Sequence, residues 1–186
     1  MTDAVQDVEI SVVIPAYNAE AFIDRAIESV LNQTRPVQEV IVVNDGSTDG
    51  TEQHLTKYKG AISVISQRNR GASTARNFGI LSASKPYIAF LDADDFWAPS
   101  KIEEQIEVIS HNPGAGFVSC EAQILDDIGE ANYIWKFEAP KEKLLNHLFT
   151  RHAGIPGSLS AVVVRKEALA RAGLFDTVLT SQEDVD

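Results

Sequence analysis

Cysteine is almost missing from this chain: Cys120 is the only one in 186 residues. A single thiol excludes an internal disulfide and a cysteine-built metal centre. Its place in an apolar stretch suits a small, inert, buried side chain. Long apolar runs are missing too. None approaches the ~20 residues that cross a bilayer, and the polar, acidic segment 1–9 lacks the features of a secretory leader. A cytoplasmic location is therefore expected, with at most peripheral contact with a membrane. Positive charge is scarce, since 16 Lys and Arg against 27 Asp and Glu leave a net charge of -11. That balance argues against nucleic acid or an anionic membrane as a general partner. A small anionic ligand stays open, provided a metal or local cations offset the charge. Histidines number four, and His147 and His152 stand at no metal-ligand spacing. No Gly-x-x-x-x-Gly-Lys-Ser/Thr loop occurs, and no Gly-x-Gly-x-x-Gly follows the first strand, which argues against nucleoside triphosphatases and dinucleotide enzymes.

What is present is an ordinary globular composition, 44% hydrophobic and 23% charged, in a length that suits one domain. Ile10–Ile14 reads as a strand stopped by Pro15. Phe22, Ile23, Ala26, Ile27, Val30 and Leu31 then recur at helical spacing, with Asn18 as the expected N-cap and Glu20 in the first turn. Glu39–Asn44 is a second strand, followed by the turn Asp45–Gly50 and a short helix to Tyr58. Ile62–Ile65 is a third strand, Gly71–Ala83 a helix, and Tyr87–Leu91 a fourth strand. Pro99 opens a helix whose Ile102, Ile106 and Ile109 face inward while Glu103, Glu104 and Glu107 face out. Phe117–Cys120 reads as a strand, Gln123–Phe137 as a hairpin, Lys141–Phe149 as a helix and Leu159–Val164 as a strand. Arg165–Ala172 reads as a helix ended by Gly173. Strands alternating with helices at this spacing imply an α/β fold with a mostly parallel sheet flanked by helices, plus a small antiparallel addition in the second half.

Three polar features fall at carboxyl ends of these strands, where open α/β sheets bind ligands. Pro15, Ala16, Tyr17 and Asn18 follow the first, Asp45 and Gly46 the second, and Asp92, Ala93, Asp94 and Asp95 the fourth. Three carboxylates in four positions repel one another, and a hard divalent cation is the natural counter-charge. A solvated acidic turn would have the same composition. Tyr17 can stack on a nucleobase or pack at the core edge. Asp45 can accept a hydrogen bond from a base or ribose, or belong to a plain Asp-Gly turn. Arg68–Asn77 opens a helix whose amides and Arg76 suit an anion. Trp97 and Trp135 can stack on sugar rings or pack inside. Gly154–Gly157 reads as a loop.

Ile10–Asn18, Val40–Thr51, Gly71–Gly79 and Leu91–Trp97 resemble the inverting glycosyltransferase family 2 of the GT-A fold. The resemblance resumes at Gly157–Ser158, Val163–Lys166, Gly173–Asp176 and Glu183–Asp184. It implies a single GT-A domain over 1–186, with a nucleotide-binding half at 1–97 and an acceptor and catalytic half at 98–186. It also implies a chain truncated after Glu183–Asp184, since the family continues further with helices and sometimes a Gln-x-x-Arg-Trp motif. Carried over by position, Pro15, Ala16, Tyr17, Asn18, Asp45, Arg76, Asp92 and Ala93 bind the donor nucleotide. Asp94, with Asp92 and Asp95, holds Mn²⁺ or Mg²⁺, and Asp184 is the base that deprotonates the acceptor hydroxyl. The implied donor is a nucleotide sugar, UDP favoured over GDP or dTDP. The implied acceptor is a saccharide, a lipid-linked glycan or a protein, in cell-surface polysaccharide, lipopolysaccharide or glycan assembly.

Two other classes stand beside this one. A domain that binds a nucleotide sugar without transferring it would carry the same donor motifs. A nucleotidyltransferase or phosphoacceptor receiver would share the acidic turn, but a receiver needs an acidic pair where this chain has Pro15-Ala16-Tyr17.

Overall fold

A computed structural model of the chain describes residues 8–126, 131–135 and 158–178. Its central element is β1 (Ile10–Ala16), every residue of which is buried. Parallel neighbours lie on both sides, β2 (Glu39–Asn44) on one and β4 (Tyr87–Phe90) on the other, and β3 (Ser63–Ser66) adds beyond β2. A strand covered on both faces has no use for polar alternation, which is why β1, β2 and β4 read as nearly continuous apolar runs, while the outer β3 is largely exposed. The six-stranded sheet has the order β3-β2-β1-β4-β8-β5, where β5 is Phe117–Ser119 and β8 is Val162–Arg165. Strand β8 runs antiparallel to both β4 and β5. Strands β6 (Ala122–Leu125) and β7 (Ala131–Trp135) form a separate antiparallel hairpin. The expected mostly parallel sheet with an antiparallel addition is therefore what the chain forms.

Helices cover both faces. Helix α1 (Ile23–Leu31), α2 (Thr51–Thr56) and α4 (Lys101–His111) lie against Ile10, Val12 and Ile14 of β1, and their Ile27, Leu55 and Ile106 join that core. Helix α3 (Ala72–Ser82) and α5 (Lys166–Ala172) pack on the other face, around Val13, Ile41, Ile88 and Phe90. Each wholly buried Ile or Val contributes about 1.5–3 kcal/mol relative to exposure, so β1 anchors both layers. Helix α3 comes closest to the sheet. A Cβ on its Gly79 would lie 2.2 Å from Val13 Cγ1, so only glycine permits that approach.

Several boundaries differ from the sequence reading for physical reasons. Strand β1 runs through Pro15 to Ala16 rather than stopping at it. Leu91 N donates to Val13 O and Asp45 N to Ala16 O. By alternation the missing N–H of Pro15 faces the β4 side, where pairing has already ended at Val13. Asn18 does not cap α1, whose N-cap is Phe22 without a side-chain bond. Pro99 lies outside α4, which starts at Lys101. Residues Leu159–Ala161 form a 3-10 turn rather than strand, because Ser158 Oγ accepts the N–H of Ser160 and bends the chain before β8. Cys120 sits one residue past β5, partly buried, and burial pushes its thiol pKa up. The expected helix at Lys141–Phe149, with His147, His152 and Gly154–Gly157, falls outside the described residues. Among the described residues no helix is long and apolar enough to cross a membrane.

Candidate active site

The chain leaves β1 for β2 and β3 on one side, then crosses to β4 on the other. The carboxyl ends of β1 and β4 thus flank a switch point, where open sheets leave a crevice. A cleft of about 440 Å³ opens there. Pro15, Ala16, Tyr17 and Asn18 line it from β1, Asp45 from β2, Arg76 from α3, and Asp92, Ala93 and Asp94 from the turn after β4. Residues 60 or more positions apart in sequence are brought to one rim. Of the expected donor and metal residues in the described set, only Asp95 is not part of the lining.

The β1 loop is laced to the β2 loop. Asn18 adopts a left-handed backbone with φ of 49°, a conformation that its short polar side chain tolerates. Its N–H reaches Ser47 Oγ at 3.1 Å, and its Oδ1 accepts from Thr48 N at 2.8 Å. Ala19 N donates to Thr51 Oγ1, Glu20 N to Asp49 Oδ2, and Gly50 N to Glu20 Oε2. Glu20 therefore serves the start of α2 rather than its own helix. The Thr51 hydroxyl, assisted by nearby amides, lowers the pKa of Asp49. This lacing fixes the loop from which Tyr17, 51% exposed, presents its ring to the cleft.

Asp45 is only 2% exposed. Its Oδ1 accepts from Gln67 Nε2 at 2.6 Å and Arg70 N at 2.9 Å, and its Oδ2 from Gly71 N at 2.9 Å. It thereby ties the second loop to the segment that opens α3. The following Gly46, at φ +72°, lies so close that a Cβ would sit 2.7 Å from Asn69 N. The Asp-Gly pair is thus a turn and also a fastening.

Arg76 is 5% exposed, and its Nη2 donates to Asp92 Oδ1 at 2.8 Å. Its guanidinium stands 5.8 Å from the centroid of Phe175, which packs edge-on against Phe90. Asn77 pins that segment to α3 through a reciprocal pair of bonds with the backbone of Phe175. The Gly173–Asp176 stretch, singled out in the sequence without a stated task, supports Arg76 from behind.

The acidic turn closes with Asp95 N donating to Asp92 O. Each carboxylate has a different surrounding. Asp92 is paired with Arg76, and Asp95 Oδ2 accepts from Ser158 Oγ at 3.2 Å. Asp94 is exposed, and its carboxylate has no hydrogen-bond partner among the described residues. Its carbonyl accepts from Arg25 Nη2. Among the described residues no group of three or more acids, histidines or cysteines converges on one point. The donor set fits a magnesium- or manganese-type ion held by one or two carboxylates and completed by ligand phosphates and water, and does not fit a closed protein cage. Asp94 is the carboxylate open for that purpose.

Trp97 is not available to a sugar. It is 5% exposed, its Nε1 donates to Ser160 O at 2.8 Å, and the Lys101 amine stands 4.1 Å from its ring centroid. Glu183, Asp184 and the side chain of Trp135 lie outside the described residues. Sequence reasoning missed Phe22 and Asn69, which line the cleft, and Arg25 and Ser160, which hold the acidic turn. The small residues Gly71, Ala72 and Ala75 on one helical face offered a signal for the cleft wall. Arg25 offered none.

The family profile described as "Glycosyl transferase family 2" matches residues 11–175. The chain belongs to glycosyl transferase family 2. An uncharacterized glycosyltransferase of Rickettsia typhi is 34% identical over 181 residues, covering 95% of this chain and 56% of that protein. TuaG of Bacillus subtilis, named as a glycosyltransferase of teichuronic acid biosynthesis, is 42% identical over 102 residues, covering 53% of this chain and 40% of TuaG. Among solved structures, S. aureus TarS 1-349 in complex with UDP-GlcNAc superposes with a TM-score of 0.78 at 26% identity, covering 96% of this chain and 51% of that one. These likenesses agree with the GT-A arrangement of sheet and helices. The chain thus spans about half the length of the relatives it matches end to end.

Proposed function

We propose that this chain carries the donor site and the catalytic base of an inverting glycosyltransferase. It would move a sugar from a nucleoside diphosphate, UDP by preference, to an acceptor hydroxyl. One observation carries the reading: Tyr17, Asp45, Arg76 and Asp92–Asp94, from four separate elements, share one cleft at the carboxyl rim. TarS, solved with UDP and with UDP-GlcNAc, supports the choice of UDP.

In this reading Tyr17 lies against the base, and Asp45 keeps the base-side loops in place. Arg76 offsets charge beside Asp92, and Asp94, with Asp92 and Asp95, would hold Mn²⁺ or Mg²⁺. A divalent cation, when bound, supplies Lewis-acid stabilisation of the charge that develops on the leaving phosphate. The acceptor oxygen forms its bond to the anomeric carbon as the bond from that carbon to the phosphate oxygen breaks. The nucleoside diphosphate leaves with the electron pair, and the acceptor proton passes to the Asp184 carboxylate. Attack opposite the leaving group inverts the anomeric centre. The acceptor would be a saccharide, a lipid-linked glycan or a protein, handled in the cytoplasm or at the membrane's inner face. The name of TuaG supports a place in cell-surface polysaccharide synthesis.

A second reading is donor binding without transfer, which the same cleft residues would serve equally well. Thermal stabilisation by UDP, GDP and dTDP, with and without Mn²⁺, tests the donor site. A ligand at a hundred times its Kd adds about 2.7 kcal/mol. Stabilisation by one nucleotide that needs metal and disappears in Asp94→Ala is the expected result; no stabilisation of a folded sample would sink the reading. Sugar release from the matching donor then separates transfer from binding.

A further inference from the structure

The acidic turn faces a physical difficulty. Three carboxylates in four positions repel one another, and the repulsion favours splaying the turn that must aim Asp94. The pairing of Arg76 with Asp92 relieves part of it. Arg25 holds the Asp94 carbonyl from α1, and a further restraint reaches the turn from the second half of the chain, centred on Ser160.

Strand β8 pairs antiparallel with β4, with Tyr87 opposite Arg165, Ile88 opposite Val164 and Ala89 opposite Val163. Continued along the same register, Ser160 falls opposite Asp92. The 3-10 turn at Leu159–Ala161 places it there. Ser160 Oγ accepts the N–H of Asp92 at 3.0 Å, and Ser160 O accepts the Nε1–H of Trp97 at 2.8 Å. One residue thus grips both ends of the segment Asp92–Trp97. Its neighbour Ser158 accepts from Ser160 N at 3.1 Å and donates to Asp95 Oδ2 at 3.2 Å. From behind, Gln105 Nε2 donates to Ala161 O at 2.9 Å, and the Lys101 amine sits over the Trp97 ring. Ser160 itself is 8% exposed. A hydroxyl buried to that degree is retained against its desolvation only where it has a partner to hold. That partner is the first residue of the acidic turn.

We propose that Ser160 is a positioning residue for the metal-bearing end of the donor site: it fixes the turn Asp92–Asp95 so that Asp94 meets a divalent cation on a nucleoside diphosphate. This rests on the donor-site reading above. A grip on the acidic turn bears on the diphosphate and its cation and leaves the base end of the cleft, built from the β1 and β2 loops, unchanged. Ser160 therefore sets the ratio of diphosphate to nucleoside affinity, a quantity that a purely structural hydroxyl would not move.

The test is calorimetric titration of the 186-residue chain and its variants with UDP, GDP and dTDP in Mn²⁺, and with uridine, guanosine and thymidine without metal. Ser160→Ala withdraws the acceptor from Asp92. Trp97→Phe releases the other end of the grip and serves as the second variant if Ser160→Ala folds poorly. For the nucleotide that wild type prefers, each variant is expected to weaken diphosphate binding about ten-fold and to change nucleoside binding less than two-fold. Each should also raise the Mn²⁺ concentration needed for half-saturation. Ser160→Thr, which keeps the hydroxyl, should restore the ratio. If wild type binds diphosphate with metal and the folded variants keep its ratio, the assignment of Ser160 is overturned while the donor site stands. If wild type binds none of the three diphosphates, the donor-site reading falls and this assignment with it.

Discussion

Arg25 Nη2 donates to the carbonyl oxygen of Asp94 at 2.9 Å, while the same guanidinium lies 4.4 Å from the ring centroid of Phe96. A residue of α1, far from Asp94 in sequence, thus clamps the outer edge of the acidic turn, with Phe96 as its rest. Because Arg25 is exposed, its contribution to global stability is small, about 0–1 kcal/mol. Its effect should fall on the turn. Arg25→Ala is expected to weaken metal-dependent diphosphate binding several-fold with little change in Tm. Arg25→Lys, which keeps the charge but loses the planar fork, should lie between. Titration calorimetry beside thermal melts checks both halves of the expectation, and a large fall in Tm with unchanged binding would contradict it.

Asp45 directly follows the parallel strand β2, yet its carboxylate serves the opening of α3. Asp45→Ala leaves the donors of Gln67, Arg70 and Gly71 without that partner, at a cost on the order of 3 kcal/mol. Asp45→Asn keeps one acceptor oxygen and should cost less. Urea denaturation measures the cost. Trypsin should also cut after Arg68 or Arg70 faster in Asp45→Ala than in wild type. Equal cleavage rates would show that the segment is held by other means.

The Lys101 amine carries a built-in pH response. Burial lowers its pKa from 10.5 to about 8, with the nearby Cys120 pulling weakly the other way. Between those two values the unfolded chain holds a proton that the folded chain has released, so stability rises with pH across that window. Below it the folded state bears the whole cost of a desolvated ammonium, about 3 kcal/mol for a shift of this size. The stability of wild type relative to Lys101→Met should therefore improve by about 2–3 kcal/mol from neutral pH to the upper end of the window. Denaturant titrations at several pH values read this directly; a flat difference would mean that the amine is solvated.

Gly79 lets α3 lie against β1. Gly79→Ala puts a methyl group where Val13 Cγ1 already stands, so it should destabilise by about 1–3 kcal/mol despite the better helix propensity of alanine. Arg76, one turn earlier on the same helix, should be displaced with it. Nucleotide affinity is expected to fall together with Tm, and a stabilised variant would refute the close contact.

How much of this was legible beforehand depended on which physics wrote each residue. Strands β1, β2 and β4 were readable because two-sided burial demands continuous apolar runs. The rim was readable because parallel strands end in the same direction. Alternative partners were not readable. Nothing local distinguishes Asn18 as a left-handed bridge from Asn18 as a helix cap, since both use the same short amide. Glu20 shows the same ambiguity, serving a helix other than its own. Leu159–Ser160–Ala161 looks like the start of a strand until Ser158 is seen to bend it. Trp97 could be a sugar platform until its indole N–H is seen to be taken by Ser160. In each case the deciding partner lies at least 29 residues away or depends on a turn only tertiary packing creates.

The bonds of Asp45 have a consequence for anyone who would alter the selectivity of the proposed donor site. A residue whose acceptors are committed to scaffold amides is a poor place to vary, because most replacements would loosen the loop before they altered any preference. Tyr17 and Asn69 line the same cleft, are exposed, and have side chains that hydrogen-bond to no other described residue. A library for altered base selectivity is best built at those two positions, with Asp45 and Gly46 left untouched as its frame.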